Sequence, residues 1–225
     1  MTLLHSPLQI TLYQDVLCSW CYLTDVRLEP LRQEFRQAVR WRVRPFPLRL
    51  LDRPPSDQER GELASETYRA RREPEPLAAR LTAELWLSSD APHSSVPALV
   101  ALEAARFQGA AARAQLARAM QRAALEQAVN ITRTDVIFEL ASQVGLAMNA
   151  FSTAFHSPDT HQRVLDEHRA ASARGVRGVP TLVIGKRWMI CGLREVAEYR
   201  EHILACIGKA PVPLKGAVET LRVVH

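Results

Sequence analysis

The apolar and polar positions of this chain change rhythm three times. Residues 8–15, "LQITLYQD", follow Pro7 and are rich in β-favouring side chains, so they are expected to form a first strand. From Trp20 to about residue 39, Tyr22, Val26, Leu28, Leu31 and Phe35 recur at roughly helical spacing, and "VRWRV" then reads as a second strand. Past "FPLRLLDRPPSD" the texture changes. Pro54, Pro55, Pro74 and Pro76 break the chain, and the alanine-rich stretches 77–87, 96–107, 110–129, 134–144 and 159–173 read as helices with no strand signal between them. Thr132 is a candidate N-cap, Gly145 a stop, and Ser157 followed by Pro158 another helix start. Strand signals return in "GVRGVPTLVIGKRWMICG", where "TLVI" and "RWMIC" flank Gly185 and Lys186 as the arms of a hairpin, and residues 195–207 make a last helix.

The order β, α, β, helices, β, β, α predicts an α/β protein with a large helical insertion and no internal repeat. Residues 1–54 and 174–208 are expected to form the two halves of one core domain, with 55–173 as the insertion and 209–225 as an unplaced tail. A chain of 225 residues that is 47% apolar can bury a full core. Its first fifteen residues lack the basic start and long apolar run of a secretory signal, and no apolar stretch is long enough to span a bilayer. A soluble cytoplasmic protein is therefore expected. The net charge of +5 is almost wholly arginine, since the lysines are Lys186, Lys209 and Lys215. Arg40, Arg42 and Arg44 fall on one face of a strand, and Arg69, Arg71 and Arg72 crowd a helix end. No aromatic residues interleave them as a base-stacking surface requires, so they read as solvated charge, and neither a nucleic-acid nor a membrane partner is expected.

Four cysteines over this length do not make a disulfide scaffold. Cys18 and Cys21, in "DVLCSWCY", have the spacing shared by redox dithiols and half-built zinc sites. The strand-to-helix reading places Cys18 at a helix N-terminus, where unpaired N–H groups favour a thiolate, and puts Cys21 one turn on, on the same face. No second Cys pair completes a four-sulfur site, and His156, His161 and His168 lack a tight ligand spacing, so no metal is expected. Far along the chain, "GVRGVPT" supplies a Val179-Pro180 bond that can be cis at small cost, leaving the backbone before it open to pair with an extended substrate. Asp15, three residues before Cys18, is placed either to relay the proton of Cys21 or to satisfy backbone donors at the strand-helix junction. Cys191 and Cys206 read as small buried hydrophobes, the sharper alternative being that Cys191 joins the dithiol in a relay or metal site. Trp20 and Trp188 are expected to form an apolar rim, and Trp41 and Trp86 to be core. The loop "SSDAPHSSVP", residues 88–97, is long enough to reach over the cleft but carries no assigned role.

Together, "DVLCSWCY" and "GVRGVPTLVIG", with the helices between them, resemble the DsbA-like branch of the thioredoxin superfamily, and most of all its cytoplasmic FrnE-type members. The likeness covers the chain to about Gly208. It implies a thioredoxin fold interrupted by a helical domain and acting in thiol-disulfide exchange. Cys18 would be the nucleophile, Cys21 the resolving thiol and Pro180 the cis-proline after Val179, with Ser19, Trp20, Val179 and Pro180 meeting the substrate. Ser19-Trp20 stands where the strongly oxidising periplasmic enzymes carry Pro-His, so a less oxidising couple is expected here. Expected substrates are protein or small-molecule thiols and disulfides, with no required cofactor, glutathione as a reductant or ligand, and the oligomeric state open. Two rival readings accompany this one. Kappa-class glutathione transferases and 2-hydroxychromene-2-carboxylate isomerases look similar but use a serine near the Cys18 position. A redox-responsive binding protein, whose dithiol toggles a surface of the insertion, would need no turnover at all.

Overall fold

A computed structural model describes residues 7–207 and 222–224. Strand β1 (Leu8–Gln14), helix α1 (Ser19–Glu34) and strand β2 (Val39–Pro45) form the expected βαβ opening, with β1 and β2 parallel and Leu8 in register with Val39. Seven helices follow before the next strand: α2 (Asp57–Ala70), α3 (Glu84–Leu87), α4 (Val96–Arg106), α5 (Ala110–Gln127), α6 (Thr134–Gln143), α7 (Met148–Phe155) and α8 (Pro158–Ala173). Strands β3 (Thr181–Ile184) and β4 (Trp188–Cys191) then make the antiparallel hairpin, and α9 (Val196–Ile207) closes the core. Gly185 turns that hairpin at φ +58, where an added Cβ would meet the Leu8 side chain at 3.2 Å. β1 joins the two halves of the chain, pairing parallel with β2 on one side and antiparallel with β3 on the other.

The sheet runs β2-β1-β3-β4-β5, with β5 (Arg222–Val224) parallel to β4. β5 lies in the stretch read as an unplaced tail. The rest of that tail, 209–221 and 225, is outside the described residues, as is residue 208.

The sequence reading differs from the structure in four further places, each for a physical reason. The stretch 77–87 is not one helix. It divides into a 3-10 turn at Ala78–Arg80 and the short α3, because Leu81 is extended and the Thr82 N–H is captured by the Leu125 carbonyl at 2.8 Å. Thr132 does not cap α6, since its hydroxyl and its N–H both engage the Asn130 side-chain oxygen, at 2.6 and 3.1 Å, and the helix starts two residues later after Arg133. Two helices, α2 and α7, had no counterpart in the reading. α2 is held by a capping box in which Ser56 and Glu59 satisfy each other's backbone N–H groups. It buries only Ala64, Thr67 and Ala70, residues too small to write a hydrophobic stripe.

One apolar core fills the sheet face under α1 and α9, built from Ile10, Leu12, Leu28, Leu31, Leu182 and Tyr199 among others. The largest core runs through the helices α4, α5, α6, α7 and α8 and takes in Val16, Leu17, Tyr22 and Leu23 around the start of α1. The Cys pair therefore emerges from a backbone anchored on both sides, in the sheet and in the helical block.

Candidate active site

From the end of β1 the chain turns through Asp15, and the Cys18 N–H donates to the Asp15 carbonyl at 3.3 Å. Cys18 is the N-cap of α1, with extended backbone and with its sulfur accepting from the Cys21 N–H at 3.4 Å. A thiol thus occupies the place usually held by a serine or aspartate oxygen, and negative charge developing on it faces the positive end of the helix. Cys18 and Cys21 are both buried, and none of the four cysteines is in a disulfide.

Opposite the helix start, the segment leading into β3 carries Val179, and the Cys18 thiol donates to its carbonyl at 3.7 Å. The Val179-Pro180 peptide is cis. The Pro180 carbonyl accepts from the Gly192 N–H at 2.8 Å, which ties this segment to the end of β4. Trp20, Val179, Pro180, Leu193, Arg27 and Glu73 are among the residues lining a cleft of roughly 500 Å³. Ser19 is buried and does not line it. Trp188 is not part of a rim with Trp20. It lies at the far end of β4, opposite Ile184, edge-on to His202 at 4.7 Å between ring centres. Cys191 pairs in register with Thr181, whose hydroxyl lies 4.0 Å from its sulfur, and packs, half-buried, with Val179 and Met189. Among the described residues no three of His, Cys, Asp and Glu converge as metal ligands.

Asp15 is fully buried. One carboxyl oxygen accepts from the Leu17 N–H at 2.8 Å and the other from the Leu48 N–H at 2.6 Å. Burial pushes the Asp15 carboxyl above the usual carboxylate range, with the Leu48 and Leu17 N–H groups pulling the other way. Cys21 lies against this group. Burial first, and the Cys18 sulfur second, push its thiol well up, while the Asp15 backbone N–H opposes them. A thiol held in this way stays protonated until a base accepts its proton.

Three side chains remote in sequence hold the site, and nothing local in the sequence marks them. Glu66 on α2 accepts from the Trp20 indole at 2.9 Å, tying to the insertion a ring that lines the cleft. Glu126 on α5 accepts from the Tyr22 hydroxyl at 2.8 Å. Burial and this carboxylate push the Tyr22 phenol up to about 12. Ser95, in the loop just before α4, accepts from the Arg49 N–H at 2.9 Å, next to the Leu48 N–H that reaches Asp15. Arg27 on α1 adds a buried strut, donating to Glu75 at 2.5 Å, Glu73 at 2.7 Å and the Arg194 carbonyl at 3.0 Å.

A profile of the DSBA-like thioredoxin domain matches residues 9–204. This chain belongs to that family. Its fold is the family's thioredoxin-like fold, with the helices placed between β2 and β3. Among relatives, the chain is 26% identical over 92% of its length, and 70% of the other's, to the ClpXP adapter protein SpxH of Bacillus subtilis (strain 168). Among solved structures, one titled a putative protein disulfide isomerase from Nitrosomonas europaea superposes with a TM-score of 0.77 at 20% identity, covering 89% of this chain and 97% of that one. The cytosolic disulfide reductase DsbM of Pseudomonas aeruginosa, in a structure with GSH, superposes at 0.66 and 20% identity, covering 88% and 98%. At these identities the two structures share the fold with this DSBA-like chain.

Proposed function

We propose that this protein is a thiol-disulfide oxidoreductase whose working dithiol is Cys18 and Cys21. The observation that carries the reading is the position of the Cys18 sulfur, at the first turn of α1 and against the carbonyl of Val179 before a cis-proline. A substrate disulfide lying along the Val179-Pro180 backbone would present one sulfur to Cys18. The Cys18 thiolate attacks it, forming a mixed disulfide and expelling the substrate's other sulfur as a thiolate. Cys21 then loses its proton to Asp15 and attacks the Cys18 sulfur, so that the protein ends oxidised and the substrate ends as a dithiol. The reverse sequence oxidises a substrate. Trp20 and the cleft beside Pro180 would contact the substrate, whereas Ser19, buried, would act by packing.

The substrates are protein or small-molecule disulfides, with glutathione as a reductant or ligand and a cytoplasmic setting. The likeness to DsbM, a cytosolic disulfide reductase whose structure is one with GSH, supports both points. Residues 1–54 and 174–208 would work as the catalytic unit and 55–173 as the element that shapes access to it. Replacing Cys18 by serine tests the assignment: exchange with a dithiol-disulfide pair should be lost, and activity retained in that variant would refute it.

A second reading is favoured by one observation, the likeness to a protein named a ClpXP adapter. In it the dithiol switches a protein-binding surface. It is distinguished by partner binding that changes on oxidation while substrate turnover stays negligible.

A further inference from the structure

The arginines that alternate along β2 have no part in the chemistry above. In the parallel register of β1 and β2, Arg42 stands opposite Thr11 and Arg44 opposite Tyr13, and these four line a cavity of roughly 580 Å³ whose other wall is α8. The residues that α8 contributes, from Asp159 to Arg174, follow one another at intervals of three and four and so share one helix face. All but Ala170 are polar or charged, where a helix laid over a sheet ordinarily presents an apolar stripe. Its buried residues, Thr160, Val164 and Ala171, lie outside this lining.

The charges in the cavity do not cancel. Glu167 accepts from Arg44, and Asp166 accepts from Gln162 at 3.0 Å and from Arg169, so two of the three acidic residues are committed. Arg42, Arg163 and Arg174 have no side-chain hydrogen bond or ion pair among the described residues, and Asp159 is the one acid left to set against them. The β1 side of the cavity is buried. Tyr13 is 3% exposed and Thr11 8%, both line the cavity, and neither hydroxyl bonds to any described residue. Buried hydroxyls without a protein partner are uncommon, since each forgoes a hydrogen bond it had in water. Here two of them border the same space as three uncommitted guanidinium groups.

We propose that this cavity binds a small polyanion, a molecule of metabolite size with two or more phosphate or carboxylate groups. Arg42, Arg163 and Arg174 take the anionic groups, for which the guanidinium fork is the matching donor, and the Tyr13 and Thr11 hydroxyls donate to ligand oxygens. Arg163 and Arg174 are eleven residues apart on α8, about 16 Å along its axis, so the positive groups are spread over more than one anion's width. The volume is that of a small-molecule site. The cavity shares no lining residue with the cleft beside Pro180, so the proposal stands or falls apart from the oxidoreductase reading.

The test is isothermal titration calorimetry of the full chain at low ionic strength with fructose 1,6-bisphosphate, citrate and inorganic sulfate. The first two distinguish a phosphate from a carboxylate ligand, and sulfate supplies a single anion. At least one of the two polyanions should bind at one saturable site, more tightly than sulfate. Arg42→Gln and Arg174→Gln, at exposed positions that leave the core intact, should each weaken that binding about tenfold or more. Tyr13→Phe keeps the buried ring, deletes the hydroxyl and should weaken it several-fold. The double variant Arg71→Gln, Arg72→Gln removes two arginines outside the cavity and should leave it unchanged. Absence of a saturable site for both polyanions overturns the proposal, as does sulfate binding as tightly as either. An equal loss in the Arg71, Arg72 variant would show general attraction to a basic protein, and full affinity in both Tyr13→Phe and Arg174→Gln would place the probe elsewhere; either result also overturns it.

Discussion

The Cys18 thiol and the Val179 carbonyl meet at 3.7 Å across 161 positions of sequence. That contact exists because β1 pairs with β3 antiparallel, Tyr13 opposite Thr181, so the end of the strand that leads into the Cys pair lies beside the start of the strand that follows the proline. One register brings the two halves of the proposed site together.

The two thiols should fail differently. Cys18→Ser should remove exchange altogether, whereas Cys21→Ser should still attack and then stall, accumulating mixed disulfides on Cys18 that non-reducing electrophoresis or intact mass detects. Equal accumulation in both variants would contradict the division of roles.

The burial of Cys18, Cys21 and Asp15 was not visible from their spacing, although the pair itself and the strand before it were. Strand and hairpin signals are local: alternating or β-branched residues next to Gly185, which turns at positive φ. What held the site was not local. Glu126 comes in on a helix whose place the sequence conveys but whose packing it does not, and Glu66 on α2, which the sequence pattern does not signal. The helix α2 was missed although "SDQE" spells its capping box, because its inward positions are alanine and threonine. Thr132 misled because a hydroxyl that suits an N-cap suits the Asn130 side chain as well.

Because the large core joins Leu17, Tyr22 and Leu23 to the helices, the helical block and the start of α1 should unfold together. Leu99 on α4 is 1% exposed within that core. Leu99→Ala should cost about 2–5 kcal/mol in urea unfolding, in a single transition followed alike by Trp fluorescence and circular dichroism. Two separated transitions would mean that the insertion is energetically its own domain.

Arg27 is the shared partner of Glu73 and Glu75, with its side chain only 4% exposed. Replacing it by methionine leaves those carboxylates without their counter-charge, and a loss on the order of 3 kcal/mol is expected. The Glu75 carboxyl is lowered in net, burial raising it and the Arg27 hydrogen bond and charge outweighing that. A depressed carboxylate stabilises the fold above its unfolded pKa and loses that contribution as pH falls through the folded one. The gap between wild type and Arg27→Met should therefore narrow below about pH 4. A gap that widens there would count against the pair.

Tyr22 offers an alkaline check. Its phenol, pushed up to about 12, stays neutral where an unfolded tyrosine ionises, so its contribution to stability is intact below about pH 10 and lost as pH rises towards 12. Spectrophotometric titration should lose one tyrosine's worth of late ionisation in Tyr22→Phe, and an unchanged curve would argue that the Glu126 contact is absent in solution.

The most direct test of the whole account is the reduction potential of the Cys18–Cys21 couple, measured by equilibrating the protein in glutathione buffers and trapping the thiols. A reversible two-electron couple between about −120 and −270 mV, lost in either single-cysteine variant, is the expected result. If no Cys18–Cys21 disulfide forms anywhere in that range, the buried pair is not a working dithiol and the oxidoreductase reading is wrong.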